Sequence, residues 1–331
     1  MKALIYTGPE AMDYTDAPMP TAGKGERLIR VDAVGICGSD MHAYLGHDER
    51  RPAPLILGHE AAGVVVGGVD DGRRVTVNPL VTCGECRDCR SGRTNLCAKR
   101  QIISMPPREG AFAEYIVMPE GNLVTVPDDI PLPKAALAEP LACAWHGVKM
   151  GARALHGPLS DQVCVVIGGG AIGVGAALSL IAQGATDVTV IEPNATRRAT
   201  LQTIAGFTTV APENAPDAAD LVIDAVGYEA TREQASTLAR PGGVIAHIGL
   251  GSSAPGLNIR RMTLQEITFI GIYTYTAQDF RDTAQAIFDG RFGSLDWIET
   301  RPLSNGQKAF ADIRAGLTAA PKTVLIPAHQ E

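Results

Sequence analysis

The feature that most constrains the fold is an apolar strand that runs directly into a glycine-rich turn and a helix, VCVVIGGGAIGVGAALSLIAQGA at 163–185. Its glycines Gly168, Gly170 and Gly173 have the spacing G-x-G-x-x-G. In this context the first glycine permits a tight turn, the second lets the backbone approach a pyrophosphate, and the third lets helix and strand pack closely. Glycines at a strand-to-helix corner can also be purely structural. The context favours a dinucleotide-binding unit, with the phosphates at the helix N-terminus.

A carboxylate stands at the end of the next apolar strand, where the second half of a dinucleotide fingerprint is expected. Glu192 follows Gly173 by 19 residues. It can accept hydrogen bonds from an adenosine ribose and would repel a 2′-phosphate. This predicts NAD as the cofactor. Arg197 and Arg198 follow closely, and guanidinium groups can hold that phosphate, so NADP stays the less favoured alternative.

The pattern of strands and helices divides the chain in two. At 331 residues the chain exceeds the size at which one hydrophobic core usually stops growing. Up to about residue 130, short β-rich runs alternate with Gly/Pro turns and no helix is obvious, which predicts an irregular antiparallel β region. A helix at PKAALAEPLACAWHGVKMG then leads into near-continuous apolar strands separated by helices. This second pattern is typical of a parallel sheet covered on both faces.

Composition excludes several classes of partner. The net charge of −7 argues against a general nucleic-acid or membrane-surface binder. Neither a signal peptide nor a membrane-spanning run is apparent. Seven cysteines fit the thiolate ligands and buried thiols of a reducing compartment better than disulfides. We therefore expect a soluble, cytoplasmic protein.

Four of the cysteines form a compact array, TCGECRDCRSGRTNLC at 82–97. Cys83, Cys86, Cys89 and Cys97 have the spacing C-x2-C-x2-C-x7-C, which can wrap one tetrahedral Zn²⁺. Because four thiolates leave no open coordination position, the expected role is structural. An iron–sulfur cluster is less favoured because no proline follows the last cysteine. The nearby basic residues alternate with acids and lack aromatic neighbours, which argues against a nucleic-acid knuckle.

A second set of possible ligands is scattered along the sequence. GICGSDMHAYLG and LILGHEAAG contain Cys37, His42, His59 and Glu60, and ALAEPLACAWHG contains Glu139. A thiolate, an imidazole and a carboxylate are the mixed set that catalytic zinc uses, with a position left open for water or substrate. The sequence alone does not bring these residues together.

These motifs in combination resemble the zinc-dependent medium-chain alcohol dehydrogenases, of the polyol dehydrogenase and threonine dehydrogenase branch. The resemblance covers essentially the whole chain, from GICGSDMH through the four cysteines, GAFAEYIVMP and EPLACAWHG to VIGGGAIG. It implies an α/β fold in which a Rossmann doubly wound parallel sheet domain is inserted in a mainly β, GroES-like catalytic domain. The implied boundaries are 1–143 plus 275–331 for the catalytic domain and 144–274 for the NAD-binding domain. The cleft between the domains would hold zinc and nicotinamide together.

The resemblance also implies roles for individual residues. Two zinc ions per subunit are expected, a structural one at the four cysteines and a catalytic one at Cys37 and His59. Glu60 and Glu139 would be carboxylates of the catalytic site, and the resemblance leaves open whether one of them or a water completes the zinc sphere. Asp40 would orient the imidazole of His59, as carboxylates commonly do for metal ligands. Two further residues look like a proton relay, namely Ser39 and His42.

The expected reaction is the reversible oxidation of a secondary alcohol to a ketone, in which Ser39 passes the alcohol proton through the cofactor ribose to His42 while hydride moves to the nicotinamide. The cofactor is expected to contact Gly168, Gly170, Ile172, Gly173, Glu192, Arg197, Val226, Ile248, Leu250 and Tyr273.

Several alternatives stay open. A zinc-free, NADPH-dependent quinone reductase has the same fold but needs neither cysteine group, and a non-catalytic binding protein has no use for an open metal position. The expected substrate is a small-molecule alcohol: polyols or sugar alcohols come first, then small diols, then L-threonine. Thr274 stands where sorbitol dehydrogenases tend to carry Arg, which weakens that particular substrate. The strand ITFIGIY could pair edge to edge between subunits, which predicts a homodimer or homotetramer.

Overall fold

A computed structural model describes residues 1–329. The described chain forms two compact units, one of residues 1–139, 276–289 and 298–329, the other of residues 140–275 and 290–297. The division predicted from the sequence differs from this grouping at residues 140–143, 275 and 290–297. Among residues 1–329, no helix is both long and apolar enough to cross a membrane.

Strands dominate the first unit. It contains β1 Lys2–Gly8, β2 Ala11–Asp16, β3 Glu26–Gly35, β4 Leu55–Ile56, β5 Glu60–Val66, β6 Arg74–Val77, β7 Leu80–Val81, β8 Gln101–Ile102, β9 Tyr115–Pro119 and β10 Leu123–Thr125. The second unit contains β11 Val163–Ile167, β12 Asp187–Ile191, β13 Thr208–Val210, β14 Ala219–Asp224, β15 Ala239–His247 and β16 Thr268–Gly271, after which the chain returns to the first unit as β17 Ile298–Pro302 and β18 Lys322–Ile326.

The helices connect these strands. In chain order they are α1 Gly38–Tyr44, α2 Arg87–Arg90, α3 Leu132–Ala135, α4 Ala138–Ala152, α5 Ala171–Ala182, α6 Ala195–Leu201, α7 Glu229–Leu238, α8 Ile259–Leu264, α9 Ala277–Phe288 and α10 Gly306–Arg314.

The main sheet of the first unit has the order β10-β6-β5-β3-β18-β17, with β9 also paired to β3. Strand β18 pairs antiparallel with β3, so the strand KTVLIP, which the pattern alone could not place, completes this sheet. The core of this unit includes the aromatic residues Phe112 and Phe310. Their rings pack edge to face, with 5.9 Å between the ring centroids. Both rings are fully buried, and burial of such apolar area is the main favourable term in folding.

The second unit is built on one parallel sheet with the order β13-β12-β11-β14-β15-β16. The strand order reverses direction between β11 and β14, which is the arrangement of a doubly wound dinucleotide-binding sheet. Every residue of β14 is buried, including Asp220 and Asp224 beside the apolar residues 221–223. The predicted Rossmann fold is confirmed.

Two local expectations were wrong. The sequence shows no obvious helix before residue 130, yet α1 lies at Gly38–Tyr44. Its seven residues are too short for a helical period, and it is fixed at its start by Asp40, whose carboxylate accepts a hydrogen bond from the Cys37 N–H at 3.0 Å. The single helix expected at PKAALAEPLACAWHGVKMG is two helices, α3 and α4.

Candidate metal and cofactor sites

Three of the scattered ligand candidates meet in the first unit. The ligand atoms of Cys37, His59 and Glu60 all lie within 4.8 Å of one another. The sheet explains this convergence, because β3 and β5 are antiparallel partners and Gly35, at the end of β3, lies opposite Glu60, at the start of β5. Cys37 follows β3 and His59 precedes β5. A thiolate, an imidazole and a carboxylate within this distance are a suitable donor set for catalytic zinc.

Asp40 supports the His59 imidazole. Its Oδ1 lies 3.3 Å from His59 Nδ1, and the fully buried carboxylate also accepts hydrogen bonds from the N–H groups of Gly58 and Cys37. Burial raises the pKa of Asp40, but the neighbouring charge and hydrogen bond of His59 lower it further, so the pKa lies below its usual value. A carboxylate at Nδ1 leaves Nε2 available to a metal.

The surroundings of His59 are suited to a cation. Burial lowers the pKa of His59, yet the charges of Asp40 and Cys37 outweigh burial and raise it well above its usual value. The negative charge that favours a protonated imidazole also favours a divalent ion bound beside that imidazole. The residues present therefore fit a zinc ion.

Glu60 is paired with a lysine that the sequence did not single out. Lys322 Nζ lies 2.6 Å from each carboxylate oxygen and also donates to the Ile36 carbonyl at 2.8 Å. Both side chains are buried. Burial lowers the pKa of Lys322, but the charges of Glu60 and Cys37 and the hydrogen bond to Glu60 together raise it above its usual value. A Cβ on Gly35 would lie 1.9 Å from Glu60 Oε2, so glycine is required there to make room for the carboxylate.

A charged residue within an apolar strand was the available signal for Lys322, which opens KTVLIP. Glu139 is buried in the first turn of α4 and is not part of the 4.8 Å group. Its charge nevertheless contributes to the raised pKa of Lys322. Ser39 and His42 lie on α1, and both are half-buried. The roles of these three residues stay predictions.

The four-cysteine segment, which we call the cysteine lobe (residues 82–97), also converges. The four sulfur atoms lie within 4.8 Å of one another, with Cys83 Sγ 3.9 Å from Cys89 Sγ and 3.5 Å from Cys97 Sγ. Backbone hydrogen bonds from Glu85 and Cys86 lower the pKa of Cys83 to about 6, whereas burial raises that of Cys89 to about 12. Sulfurs this close need a cation once they are thiolates, so the lobe fits a tetrahedral zinc.

In the second unit, the glycine-rich turn has the geometry that its spacing predicts. Gly168 has φ +98°, a conformation that disfavours any side chain. A Cβ on Gly173 would lie 1.8 Å from the Gly168 carbonyl oxygen, so only glycine lets α5 approach β11. Gly170 precedes the first residue of α5. The turn therefore presents backbone at a helix N-terminus, as pyrophosphate-binding turns do.

Glu192 lies beside this turn but is itself extensively bonded. Its carboxylate accepts hydrogen bonds from the N–H groups of Gly169 and Asn194, each at 2.8 Å, and lies 3.4 Å from Arg197 Nη1. Arg198 instead donates to the carbonyls of Glu192 and Pro193. Both arginines therefore bind the loop that contains Glu192. Neither side chain extends from the start of α6 without a partner.

The sequence reasoning missed one buried cluster at the carboxyl ends of β14 and β15. Asp224 is fully buried and accepts hydrogen bonds from the N–H groups of Val226 and Gly227, from Thr231 Oγ1, and at 3.0 Å from His247 Nδ1. Burial raises its pKa, but the His247 and backbone hydrogen bonds lower it below the usual value. An acid that closes an apolar strand, as in LVIDAVG, was the available signal.

This cluster fixes the loops that contain the remaining predicted cofactor residues. Val226 and Ile248 are half-buried, as are Ile172 and Tyr273, whereas Leu250 is exposed. Gly227 and Gly249 let the two loops touch through backbone alone, because a Cβ on Gly227 would lie 2.1 Å from the Gly249 carbonyl oxygen. Contact of these residues with a cofactor stays a prediction.

Comparison with known proteins matches both units. The family models for "Alcohol dehydrogenase GroES-like domain" and "Zinc-binding dehydrogenase" match residues 23–128 and 171–289. The L-galactonate-5-dehydrogenase of Escherichia coli K12 is 32% identical over 308 residues, 88% of each chain. A protein named "Probable D-xylulose reductase A" from Neosartorya fischeri is 29% identical, covering 95% of this chain and 94% of its own.

A solved structure agrees. The crystal structure of a protein described as "short chain alcohol dehydrogenase" from E. coli CFT073, complexed with NADH, superposes with a TM-score of 0.88 at 25% identity, over 98% of this chain and 99% of its own. The chain therefore belongs to the zinc-dependent medium-chain alcohol dehydrogenases, in their polyol dehydrogenase branch, and is an NAD(P)-dependent oxidoreductase built from a GroES-like and a Rossmann domain.

Proposed function

We propose that this enzyme interconverts a secondary alcohol and its ketone within a polyhydroxylated chain, a sugar alcohol or a sugar acid, with NAD. The observation that carries the proposal is the meeting of Cys37, His59 and Glu60 in a buried site with a supporting carboxylate at His59. The names of two relatives refer to L-galactonate and D-xylulose. Both compounds are polyhydroxylated, which favours this class over L-threonine.

Each residue at the proposed metal site has a distinct role in binding the metal or moving the proton. Cys37 and His59 would hold a zinc ion, which would supply Lewis-acid polarisation of the alcohol oxygen. Asp40 holds His59 in the required tautomer. Ser39 would accept the alcohol proton while it gives its own hydroxyl proton to the cofactor ribose, and His42 would take the proton from the ribose and release it to solvent. Ser39 Oγ lies 3.5 Å from His59 Nε2, which supports its place beside the metal.

The second unit supplies the cofactor site. The turn at Gly168, Gly170 and Gly173 would bind the pyrophosphate of the cofactor, and Glu192 would face its adenosine ribose. The chemistry that the bound nicotinamide would supply is acceptance of the hydride. Glu192 favours NAD because it would repel a 2′-phosphate. The ion pair with Arg197 weakens that repulsion, so NADP is the alternative to test directly.

The deciding experiment measures reduction of NAD and of NADP across a library of polyols, sugar acids, small diols and L-threonine, with zinc content determined on the same sample. We expect NAD-dependent oxidation of a polyol or sugar acid and two zinc ions per chain. Preference for L-threonine would contradict the substrate class. Quinone reduction with NADPH by a zinc-free protein would contradict the reaction itself.

We also propose that the enzyme is a cytoplasmic homodimer or homotetramer. Strand β16 pairs only with β15 among the described strands, and Phe269 on it is 36% exposed. A free sheet edge with an apolar side chain suits pairing with a second copy. Light scattering should give a mass above one chain, and Phe269→Lys should lower it. A monomeric wild-type mass would contradict the proposal.

A further inference from the structure

We propose that Arg51 is a positioning residue for the metal-binding imidazole of His59, acting through Ser104 and Ser39. The inference rests on the proposed zinc site at Cys37 and His59. Nothing in the sequence motifs points to Arg51, which stands in the loop before LILGHE. Its importance follows from where its guanidinium lies.

Arg51 is only 3% exposed, although arginine is almost never buried unless its charge and donors are matched. Its charge is matched by Asp48, whose Oδ2 lies 2.6 Å from Nη1. The remaining donors point towards two serines. Nε donates to the Ser104 carbonyl at 3.0 Å, Nη2 lies 3.5 Å from Ser104 Oγ, and Nη1 donates to the Ser39 carbonyl at 3.4 Å.

Those two serines flank the imidazole. Ser104 Oγ lies 3.4 Å from His59 Nδ1, and Ser39 Oγ lies 3.5 Å from His59 Nε2. One guanidinium thus holds the backbone of the residues that face both ring nitrogens. The two serines come from distant parts of the chain. By binding both of their carbonyls, Arg51 fixes the distance between the two serines on either side of the imidazole.

The backbone at Ser104 shows that this position is constrained by its surroundings. Ser104 is fully buried and has φ +69°, a left-handed conformation that non-glycine residues adopt only where other contacts enforce it. That conformation directs its carbonyl to Arg51 while its hydroxyl faces His59. Arg51 therefore supplies the contact that holds Ser104 in place, and Ser104 limits the rotation of the imidazole.

The test measures how fast zinc leaves each site when a chromophoric chelator is added to the folded protein. Wild-type enzyme should release two zinc ions in two phases, and the Cys37→Ser variant identifies the phase of the catalytic site. Arg51→Met should accelerate that phase by about ten- to a hundredfold, in proportion to the loss of metal affinity that usually follows when a supporting residue is disturbed. Release from the cysteine lobe should not change. Arg51→Lys should give an intermediate rate because it keeps the charge and a donor.

Arg50→Met is the matched control. Arg50 also pairs with Asp48, at 2.8 Å, but its side chain is 66% exposed, so its loss removes the same charge without the serine contacts. Both release phases should be unchanged. The visible spectrum of the Co²⁺-substituted enzyme is a second readout, because it reports ligand geometry: it should change in Arg51→Met and stay the same in Arg50→Met.

Each outcome decides between the two proposals. A wild-type protein that binds one zinc contradicts the proposed metal site. A wild-type protein with two zinc ions, in which folded Arg51→Met releases both at the original rates, overturns the role of Arg51. Equal acceleration of both phases also overturns it, because the effect would then be general destabilisation. If Arg51→Met does not fold, Ser104→Ala carries the test and should accelerate only the catalytic-site phase.

Discussion

The two metal-ligand groups of the first unit are built in opposite ways. The cysteine lobe takes all four ligands from 15 consecutive residues, Cys83 to Cys97, and three of these cysteines are only half-buried. The group at Cys37, His59 and Glu60 is assembled by a sheet and supported by buried partners from both ends of the chain, among them Asp40 and Lys322. The lobe is local, whereas the second group depends on the fold.

The difference indicates what the metal contributes at each place. In the lobe, backbone N–H groups lower the pKa of Cys83 and burial raises that of Cys89. Both thiols also hydrogen-bond to neighbouring sulfurs, so we expect a bound cation to contribute folding energy there. At the other group a carboxylate and an ammonium are already in place, so the protein positions the ligands and leaves coordination capacity for chemistry.

The largest effect is expected from Cys89→Ser. Loss of one thiolate opens the closed site, so the lobe should lose its zinc and the protein several kcal/mol of stability. The measurement is zinc content together with thermal unfolding. Cys164→Ala is the control, because Cys164 is buried in the second unit outside both ligand groups and should leave zinc content unchanged. A Cys89→Ser protein with two zinc ions and the original midpoint would show that the lobe is not held by metal.

Cys37→Ser should have the complementary effect. Zinc content should fall from two ions to one and kcat/KM by on the order of a thousandfold or more, since loss of Lewis-acid stabilisation costs several kcal/mol. The thermal midpoint should change far less than in Cys89→Ser, because β3, β5 and Asp40 hold the site without the metal. A collapse of stability as large as that of Cys89→Ser would remove the distinction between the two groups.

The same contrast explains what the sequence could predict. The sequence predicted the lobe because its ligands follow one another at fixed spacing. It predicted the glycine turn because Gly168 and Gly173 meet steric demands that only glycine satisfies. Apolar runs likewise identified the parallel sheet. The group at Cys37, His59 and Glu60 was expected only through family resemblance, since the pairing of β3 with β5 is what brings Cys37 and Glu60 together. Its role as a zinc site stays a prediction.

The sequence reasoning missed two supporting residues. Lys322 pairs with a carboxylate 262 positions away, and Asp224 with an imidazole 23 positions on. A lone lysine or aspartate carries no period or spacing, so its partner becomes visible only when the sheet order is known. Helix α1 was missed for a related reason, because its start is fixed by the single side chain of Asp40.

Lys322→Met tests whether the protein itself holds Glu60. The change leaves the Glu60 carboxylate, which is 1% exposed, without its cation, and breaking a buried pair costs roughly 3 kcal/mol or more. We expect a fall in the thermal midpoint of about 10 °C in a unit of this size. The double variant Lys322→Met/Glu60→Gln should recover part of the loss because no buried charge remains. A single variant as stable as wild type would show that the pair does not organise the site.

The smallest effect is expected from an exposed ion pair that joins the lobe to the chain just after it. Lys99 Nζ lies 2.9 Å from Glu85 Oε1, as close as many buried pairs, but the two side chains are 69% and 65% exposed. Water and salt screen such a pair, and the entropy of holding two long side chains offsets its attraction. Lys99→Ala should therefore leave both zinc content and the thermal midpoint within error of wild type, at low and at high salt. A clear fall in the midpoint at low salt, absent at high salt, would mean that surface charge helps to hold the lobe, and the contrast with Lys322 would then be one of degree.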